Sequence, residues 1–314
     1  MRFKNLDLNL LVALDTLIRV RSVSRAAEEM FITQSAMSNA LGRLRDYFDD
    51  ALLTQVGRSM ELSPLAMSLE QPLRDIIVRI EAAVVSAPSF EPEDSTRNFS
   101  FVLSDYTMLA IMPAFLQRLT SRAPGIRIEF KPQQIYPHLL LERGEADLLI
   151  APTTFCSTSH PMEPLYEEKF CCVVDSDAPF PDGQISEADF LSARHVMMCP
   201  PNGGDSFTQR AFERIGVKVR IDVMTYSFSS LPFLVKGTSR IAVIQRSLAK
   251  VLEKSGGIRI VELPFALPKM EQSLQWHDSR KRDPALAWIR EQVREAVRSL
   301  ALGEVIEQAS PATA

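Results

Sequence analysis

The 314-residue sequence predicts three parts: an N-terminal winged helix-turn-helix, a long linker helix, and a C-terminal α/β domain. Three observations predict it. Residues 7–62 carry apolar-periodic helical segments around a short turn and close on a hairpin. From Pro64 to about Ala87, apolar residues recur at spacings of three and four. Beyond residue 98, strand-like apolar runs alternate with amphipathic helical ones.

The first predicted helix carries Leu8, Leu11, Val12 and Ile18 on one side and Leu10, Leu14 and Leu17 on another. A helix apolar nearly all round must be covered on more than one face. Ser22 or Ser24 can cap a second helix running to Met30, where Ala26 and Ala27 allow close crossing. Phe31 and Ile32 form the turn, and Thr33 can cap a third helix. That helix sets Ala36, Met37, Ala40, Leu41 and Leu44 on the expected inward face. Its other face shows Gln34, Ser35, Ser38, Asn39, Gly42 and Arg43, with no Glu or Lys. An ordinary solvated face is rich in both. Amides, hydroxyls and one Arg suit a face that reads base edges and touches phosphates. Residues 52–62 then predict a two-stranded wing with Gly57 in its turn and Arg58 at its tip.

The next helix is read through Leu69, Leu73, Ile76, Ile77, Ile80 and Val84. With little else nearby to bury its stripe, it is expected to pack against a second copy of itself. Pro72 either kinks this helix or moves its start to Gln71. Residues 88–97, PSFEPEDSTR, form a linker. The remainder predicts strands at Phe99–Leu103, Ile126–Lys131, Ala146–Ala151, Phe170–Val174, Val196–Cys199, Val219–Met224 and Ile241–Ile244. Helices are predicted at Tyr106–Ser121, Leu139–Arg143, Phe207–Ile215, a segment ending at Phe233–Lys236, Arg246–Lys254 and Pro284–Leu300. Such alternation implies largely parallel sheets, whose ligands bind beyond the carboxyl ends of the strands. That rule selects the segments after Leu103, Lys131, Ala151 and Cys199.

Composition narrows the function classes. A net charge of −4 does not advertise nucleic-acid binding, and residues 1–65 balance eight Lys/Arg against eight Asp/Glu. Placement matters more than the sum: no acid lies between Met30 and Arg45. Cys156, Cys171, Cys172 and Cys199 form no CxxC pair, and His138, His160, His195 and His277 show no metal-ligand spacing. No GxGxxG, Walker A, HExxH or GxSxG sequence is present, so an enzyme is disfavoured. No apolar run reaches the ~18–20 residues that span a bilayer. Arg2 and Lys4 precede Leu10–Leu14, but Asp7 and Asp15 bracket that stretch, so no export signal is read. A cytoplasmic protein that touches no membrane and holds no metal or cofactor is expected. A solute-binding protein, or a DNA-binding module without a ligand, are the other readings.

From Leu6 to Ser63 the segments LDLNLL, S-x-x-A-A, T-Q-S-A-M-S, GRLR-x-YF and R-x-x-x-L-[ST]-P resemble the DNA-binding region of LysR-type transcriptional regulators. The likeness is to the branch holding nodulation-gene activators and salicylate- or chlorophenol-responsive catabolic activators. The resemblance implies a periplasmic-binding-protein-like effector domain of two Rossmann-like subdomains, with a ligand in the cleft between them. It implies domains at 1–63 (DNA-binding), 64–88 (dimerisation helix), 89–97 (linker), 98–303 (effector-binding) and a disordered tail at 304–314. Pro72 departs from the family's common unbroken linker helix.

On this basis Thr33, Gln34, Ser35, Ser38, Asn39, Arg43 and Arg58 are the expected DNA contacts. Ser104, Asp105, Tyr106, Thr107, Pro152, Phe155, Asn202, Asp205 and Phe228 are the expected effector contacts. Free amides at the helix following Leu103 suit a carboxylate or phenolate, although simple capping by Ser104 or Asp105 explains those residues equally well. The implied effector is an aromatic acid or phenol. The implied partners are double-stranded DNA with an imperfect inverted repeat, the chain itself as dimer and tetramer, and RNA polymerase.

Overall fold

The computed structural model describes residues 6–56, 59–85, 90–180, 182–200 and 204–300. The chain divides into two compact units, one holding the N-terminal helices and hairpin, the other the sheets that follow.

In the first unit α1 (Leu8–Val20) is capped by Asp7, whose carboxylate accepts from the Leu10 amide at 2.9 Å. Ser22, not Ser24, caps α2 (Val23–Glu29). Thr33 caps α3 (Gln34–Phe48), its hydroxyl accepting from the Ala36 amide at 3.2 Å. Met37, Leu41 and Leu44 of α3 pack with Leu10, Leu14, Leu17, Ala26 and Ala27 into one core. Ala40 is half-buried as expected for a flank of that stripe, but Ala36 is exposed. Ala36 sits one residue ahead of Met37 at the helix's free N-terminal end, where no second element covers it. The wing is the antiparallel pair β1 (Leu53–Val56) and β2 (Ser59–Leu62). Arg45 ties α3 to it, donating to the carbonyls of Ala51 at 2.9 Å and Leu53 at 2.7 Å. Gly57 and Arg58 lie outside the described residues.

Helix α4 (Pro64–Val85) begins at Pro64 and runs through Pro72, so the alternative start at Gln71 does not hold. Ser63 caps it by accepting from the Ala66 amide at 3.0 Å. Pro72 is exposed, so the Ser68 carbonyl deprived of its helical donor faces solvent. The apolar stripe is not left for another copy alone. Ala66, Leu73 and Ile77 enter the α1 core, and Arg74 pairs with the buried Asp15 at 2.9 Å. Met67 and Ile76 remain exposed.

The second unit contains two five-stranded sheets. The first has the order β4-β3-β5-β12-β6, from β3 (Asn98–Leu103), β4 (Arg127–Pro132), β5 (Leu148–Pro152), β6 (Met162–Glu168) and β12 (Met270–Trp276). The second has the order β11-β7-β10-β8-β9, from β7 (Phe170–Asp175), β8 (Arg194–Met198), β9 (Arg220–Thr225), β10 (Arg240–Gln245) and β11 (Ile258–Val261). The sheets are mixed rather than largely parallel. In each, two neighbouring pairs are parallel and two antiparallel, because β12 in one sheet and β7 in the other run against the remaining four strands. The chain crosses from the first sheet to the second at Lys169 and returns between Val261 and Met270.

The predicted helix Tyr106–Ser121 is two helices, α5 (Asp105–Ala110) and α6 (Met112–Arg122), broken at Ile111. Pro113 explains the break, since it has no amide to donate to the Leu109 carbonyl and its ring crowds that carbonyl, while Pro is well placed in the first turn of α6. Helices α7 (Leu139–Glu142), α8 (Glu187–Ser192), α9 (Phe207–Arg214), α10 (Leu231–Val235), α11 (Arg246–Glu253) and α12 (Pro284–Ser299) complete the unit. Its main core runs continuously through both sheets, from Phe101 and Phe115 to Val173 and Ile244. Asp283 caps α12 and binds the Arg97 guanidinium through both carboxylate oxygens, at 2.9 and 2.5 Å.

Candidate DNA-reading face and effector cleft

The expected DNA contacts on α3 share one exposed face: Thr33, Gln34, Ser35, Ser38, Asn39 and Arg43 are all solvent-accessible. They are not equally available. The Thr33 hydroxyl is occupied as the helix cap and lies 3.0 Å from the Ser35 hydroxyl. Arg43 pairs with Asp7 at 3.2 Å, with both side chains more than half exposed. Such a surface pair is worth at most about 1 kcal/mol, so Arg43 is readily released. Gln34, Ser38 and Asn39 make no side-chain hydrogen bond to another described residue, leaving their amides and hydroxyl unspent. A Cβ at Gly42 would meet nothing within 4 Å, so packing inside the chain does not require glycine there.

In the second unit, the expected effector residues gather around α5, but differently from the sequence reading. The helix-end amides are already used. The Ser104 hydroxyl accepts from the Thr107 amide at 3.3 Å, and Asp105 accepts from the Tyr106 amide at 3.0 Å. Thr107 is fully buried and its hydroxyl lies 3.1 Å from that of Ser104. The capping alternative is therefore the one realised, and no row of free donors awaits an anion.

Asp105 does something the sequence did not reveal. Its carboxylate reaches from the first sheet's unit to the loop after β9, accepting from Ser227 Oγ at 2.7 Å, Ser229 N at 2.9 Å and Ser229 Oγ at 2.9 Å. Phe228, between those serines, meets the Tyr106 ring edge-on at 6.3 Å. Phe155 lies in a 3-10 turn after Pro152, the last residue of β5, and the Arg210 guanidinium of α9 stands 4.8 Å over its ring. The two halves of the cleft thus touch each other directly through polar and aromatic contacts. Asp205 is exposed; after burial, its charge is the next influence raising the Cys199 thiol. Asn202 lies outside the described residues. A cavity of about 10 Å³, room for about one water, lies under Phe228 among His195, Met197, Ser206 and Phe212.

Tyr106 points inward rather than into the cleft. Its hydroxyl donates to Glu168 Oε2 at 2.8 Å and contacts the Tyr166 hydroxyl. Glu168 is only 4% exposed and ends β6 at the crossover between the sheets. It also accepts from the Lys169 amide at 3.1 Å, the Ser247 amide at 3.3 Å and the Ser247 hydroxyl. Burial pushes its carboxyl above the ordinary range, against the opposing pull of those hydrogen bonds. Both tyrosines are likewise raised well above 10, by burial first. Only Tyr106 of this cluster was among the expected site residues. Glu168, Tyr166 and Ser247 are distant in sequence and carry no local pattern that would join them.

The chain matches the description "Bacterial regulatory helix-turn-helix protein, lysR family" over residues 8–67 and "LysR substrate binding domain" over residues 93–298. The chain belongs to the LysR family. It is similar to Nodulation protein D 1 of Mesorhizobium japonicum, 37% identical over 306 residues, covering 97% of this chain and 98% of that protein. It is 36% identical to Nodulation protein D 2 of Rhizobium leguminosarum bv. phaseoli, over 96% of this chain and 95% of that one. Among solved structures, the probable transcriptional regulator PA0477 from Pseudomonas aeruginosa aligns with a TM-score of 0.63 and 28% identity, over 93% and 98% of the two chains. This LysR-type chain is a DNA-binding transcriptional regulator with a substrate-binding domain, not an enzyme. Among its described residues no helix is long and apolar enough to cross a membrane.

Proposed function

We propose that this LysR-type chain activates transcription in response to a small hydroxylated aromatic compound that enters between the two sheets of its substrate-binding domain. The observation that carries the effector half is the Asp105 bridge to Ser227 and Ser229, flanked by Tyr106 and Phe228. A phenolic hydroxyl can replace those serine donors at Asp105, and an aromatic ring can separate the two aromatic side chains. A carboxylate in the same place would meet the Asp105 charge, so of an aromatic acid and a phenol, the phenol fits better. By binding only the parted arrangement, the effector shifts the equilibrium toward it.

On DNA, the proposal assigns residues 1–63 to binding, 64–88 to dimerisation and 98–303 to sensing. Gln34, Ser38 and Asn39 touch base edges, and Ser35, Arg43 and Arg58 touch phosphates. Two chains pair through α4, with the exposed Met67 and Ile76 available to the contact, and dimers associate further into tetramers that meet RNA polymerase. Two recognition helices about one turn (~34 Å) apart require an imperfect inverted repeat.

The test is a gel-shift on a duplex selected by the protein from random-sequence DNA, joined to a thermal-shift screen of phenols and aromatic carboxylates. Gln34→Ala should cost about 1–3 kcal/mol of discrimination at one base position. A phenol that stabilises the wild type should fail to stabilise Asp105→Asn, since an effector raises stability according to its affinity. Stabilisation by benzoates alone, undiminished in Asp105→Asn, would reject this effector site.

A further inference from the structure

The turn between α2 and α3 contains the most exposed large apolar side chain among the described residues. Phe31 is 96% exposed. It is also held in the left-handed region, with φ of 54°. The cause is local: the Phe31 amide donates to the Glu28 carbonyl at 3.1 Å and the Ile32 amide to the Ala27 carbonyl at 3.0 Å. These two bonds are the Schellman closure of α2, with Phe31 at the position where glycine or asparagine is preferred. A bulky residue there bears a steric cost that glycine avoids. In the folded domain Phe31 recovers nothing for it, because its ring packs against no core.

The position says what the ring is for. Phe31 precedes the Thr33 cap by two residues and Gln34 by three, so it stands at the N-terminal end of the exposed α3 face. In helix-turn-helix proteins that end of the second helix enters the major groove. Met30 to Gly42 contains no charged residue, and of the two exposed acids just before it, Glu29 is paired with Arg19, so the segment carrying the ring and the α3 face presents no charge of its own to phosphate. The apolar groups DNA offers there are thymine methyls and deoxyribose carbons.

We propose that Phe31 is a DNA-contacting residue, making an apolar contact to a thymine methyl or a deoxyribose beside the bases met by α3. This rests on α3 being the recognition helix. The contact adds affinity without adding charge, and the strained turn is retained for it.

The experiment compares wild type, Phe31→Asn and Gln34→Ala on a duplex selected by the wild-type protein from random-sequence DNA. Asparagine suits the left-handed position, so Phe31→Asn should melt no lower than wild type. It should bind the duplex at least 5-fold more weakly, with the dependence on salt unchanged because no phosphate contact is lost. Replacing each thymine by deoxyuridine then separates the two DNA groups. A loss at one position in wild type but not in Phe31→Asn identifies the thymine methyl, and no such loss identifies the sugar. Unchanged affinity of Phe31→Asn while Gln34→Ala binds poorly would overturn the Phe31 contact alone. Unchanged affinity of both variants would overturn the recognition-helix reading on which it rests. Loss of self-association in Phe31→Asn, with each remaining monomer binding a half-site normally, would assign the ring to a second copy instead and also overturn the proposal.

Discussion

Replacing Glu168 by glutamine should make the protein more stable at neutral pH. Four donors converge on this carboxylate: two backbone amides at Oε1 and two hydroxyls at Oε2. A glutamine satisfies the same geometry. Its oxygen takes the place of Oε1 and accepts from the Lys169 and Ser247 amides, which cannot reverse. Its NH2 takes the place of Oε2 and donates to the Tyr106 and Ser247 hydroxyls, which can rotate to accept. The substitution therefore removes the buried charge and keeps both backbone amides satisfied, while the Tyr106 hydroxyl, now accepting, can turn its own hydrogen toward Tyr166. Since burial raises this carboxyl above its unfolded value, ionisation opposes folding, at about 1.4 kcal/mol for each unit of the rise. Below the unfolded carboxylate value both states are protonated and wild type pays nothing. As pH climbs from there through the higher folded value, the unfolded chain releases a proton that the native one holds, and stability is lost. Glu168→Gln escapes that loss. An advantage of about 1–2 kcal/mol is expected at pH 8, or ~2–8 °C in melting temperature for a unit of this size. Scanning calorimetry of both proteins between pH 4 and 8 should show the gap widening with pH. A variant less stable than wild type at pH 8 would refute the reasoning, because it would mean the charged hydrogen bonds outweigh the burial.

Other perturbations follow from the same structure. Arg74→Ala should lower stability by about 1–3 kcal/mol in a denaturant titration, by removing one charged hydrogen-bond donor from buried Asp15. Leu44→Ala, at a fully buried core position, should cost about 2–5 kcal/mol and weaken binding to every DNA sequence alike. Burial alone would raise Asp283, but the Arg97 pairing, the Leu286 amide and the Arg280 charge together hold the carboxyl below the ordinary value. Its contribution is therefore present above about pH 4 and lost as pH falls through the lower folded value, so Asp283→Asn should flatten the acid limb of the stability curve. Burial pushes the Cys156 and Cys171 thiols up to about 12 and the Cys172 thiol higher still. At pH 8 a disulfide reagent should leave those three unmodified in the native protein while reacting with Cys199.

The first unit was legible because its signals are local. Thr33 capping, the Met37-Leu41-Leu44 stripe and the polar face from Gln34 to Arg43 all follow from spacing within one helix. The same locality misjudged Ala36, whose periodicity says nothing about whether another element reaches the end of the helix. It also missed what covers half of α4: Leu73 and Ile77 read as part of a stripe with nothing to bury it, because nothing in sequence shows that α1 lies beneath them. In the second unit, β12 escaped notice because MEQSLQW places Gln272, Ser273 and Gln275 in the interior, where a strand prediction looks for apolar residues. Without β12, the one strand that runs against the other four, the first sheet reads as parallel. The Asp105 bridge spans 122 and 124 residues of sequence to its serines, and no single-chain pattern carries a pairing of that range.

The double crossing between the sheets also sets an order of assembly during synthesis. Every strand of the second sheet lies between Lys169 and Val261, so that half is complete while the rest of the chain is still on the ribosome. The first sheet must wait. Its strands β5 and β6 are joined only through β12, which emerges about a hundred residues after β6. Until then, two edges with unpaired backbone groups stand open to any other strand. A ribosome pausing between residues 170 and 270 would hold the chain at its most aggregation-prone length, with its DNA-binding unit already made and its sensor half-built.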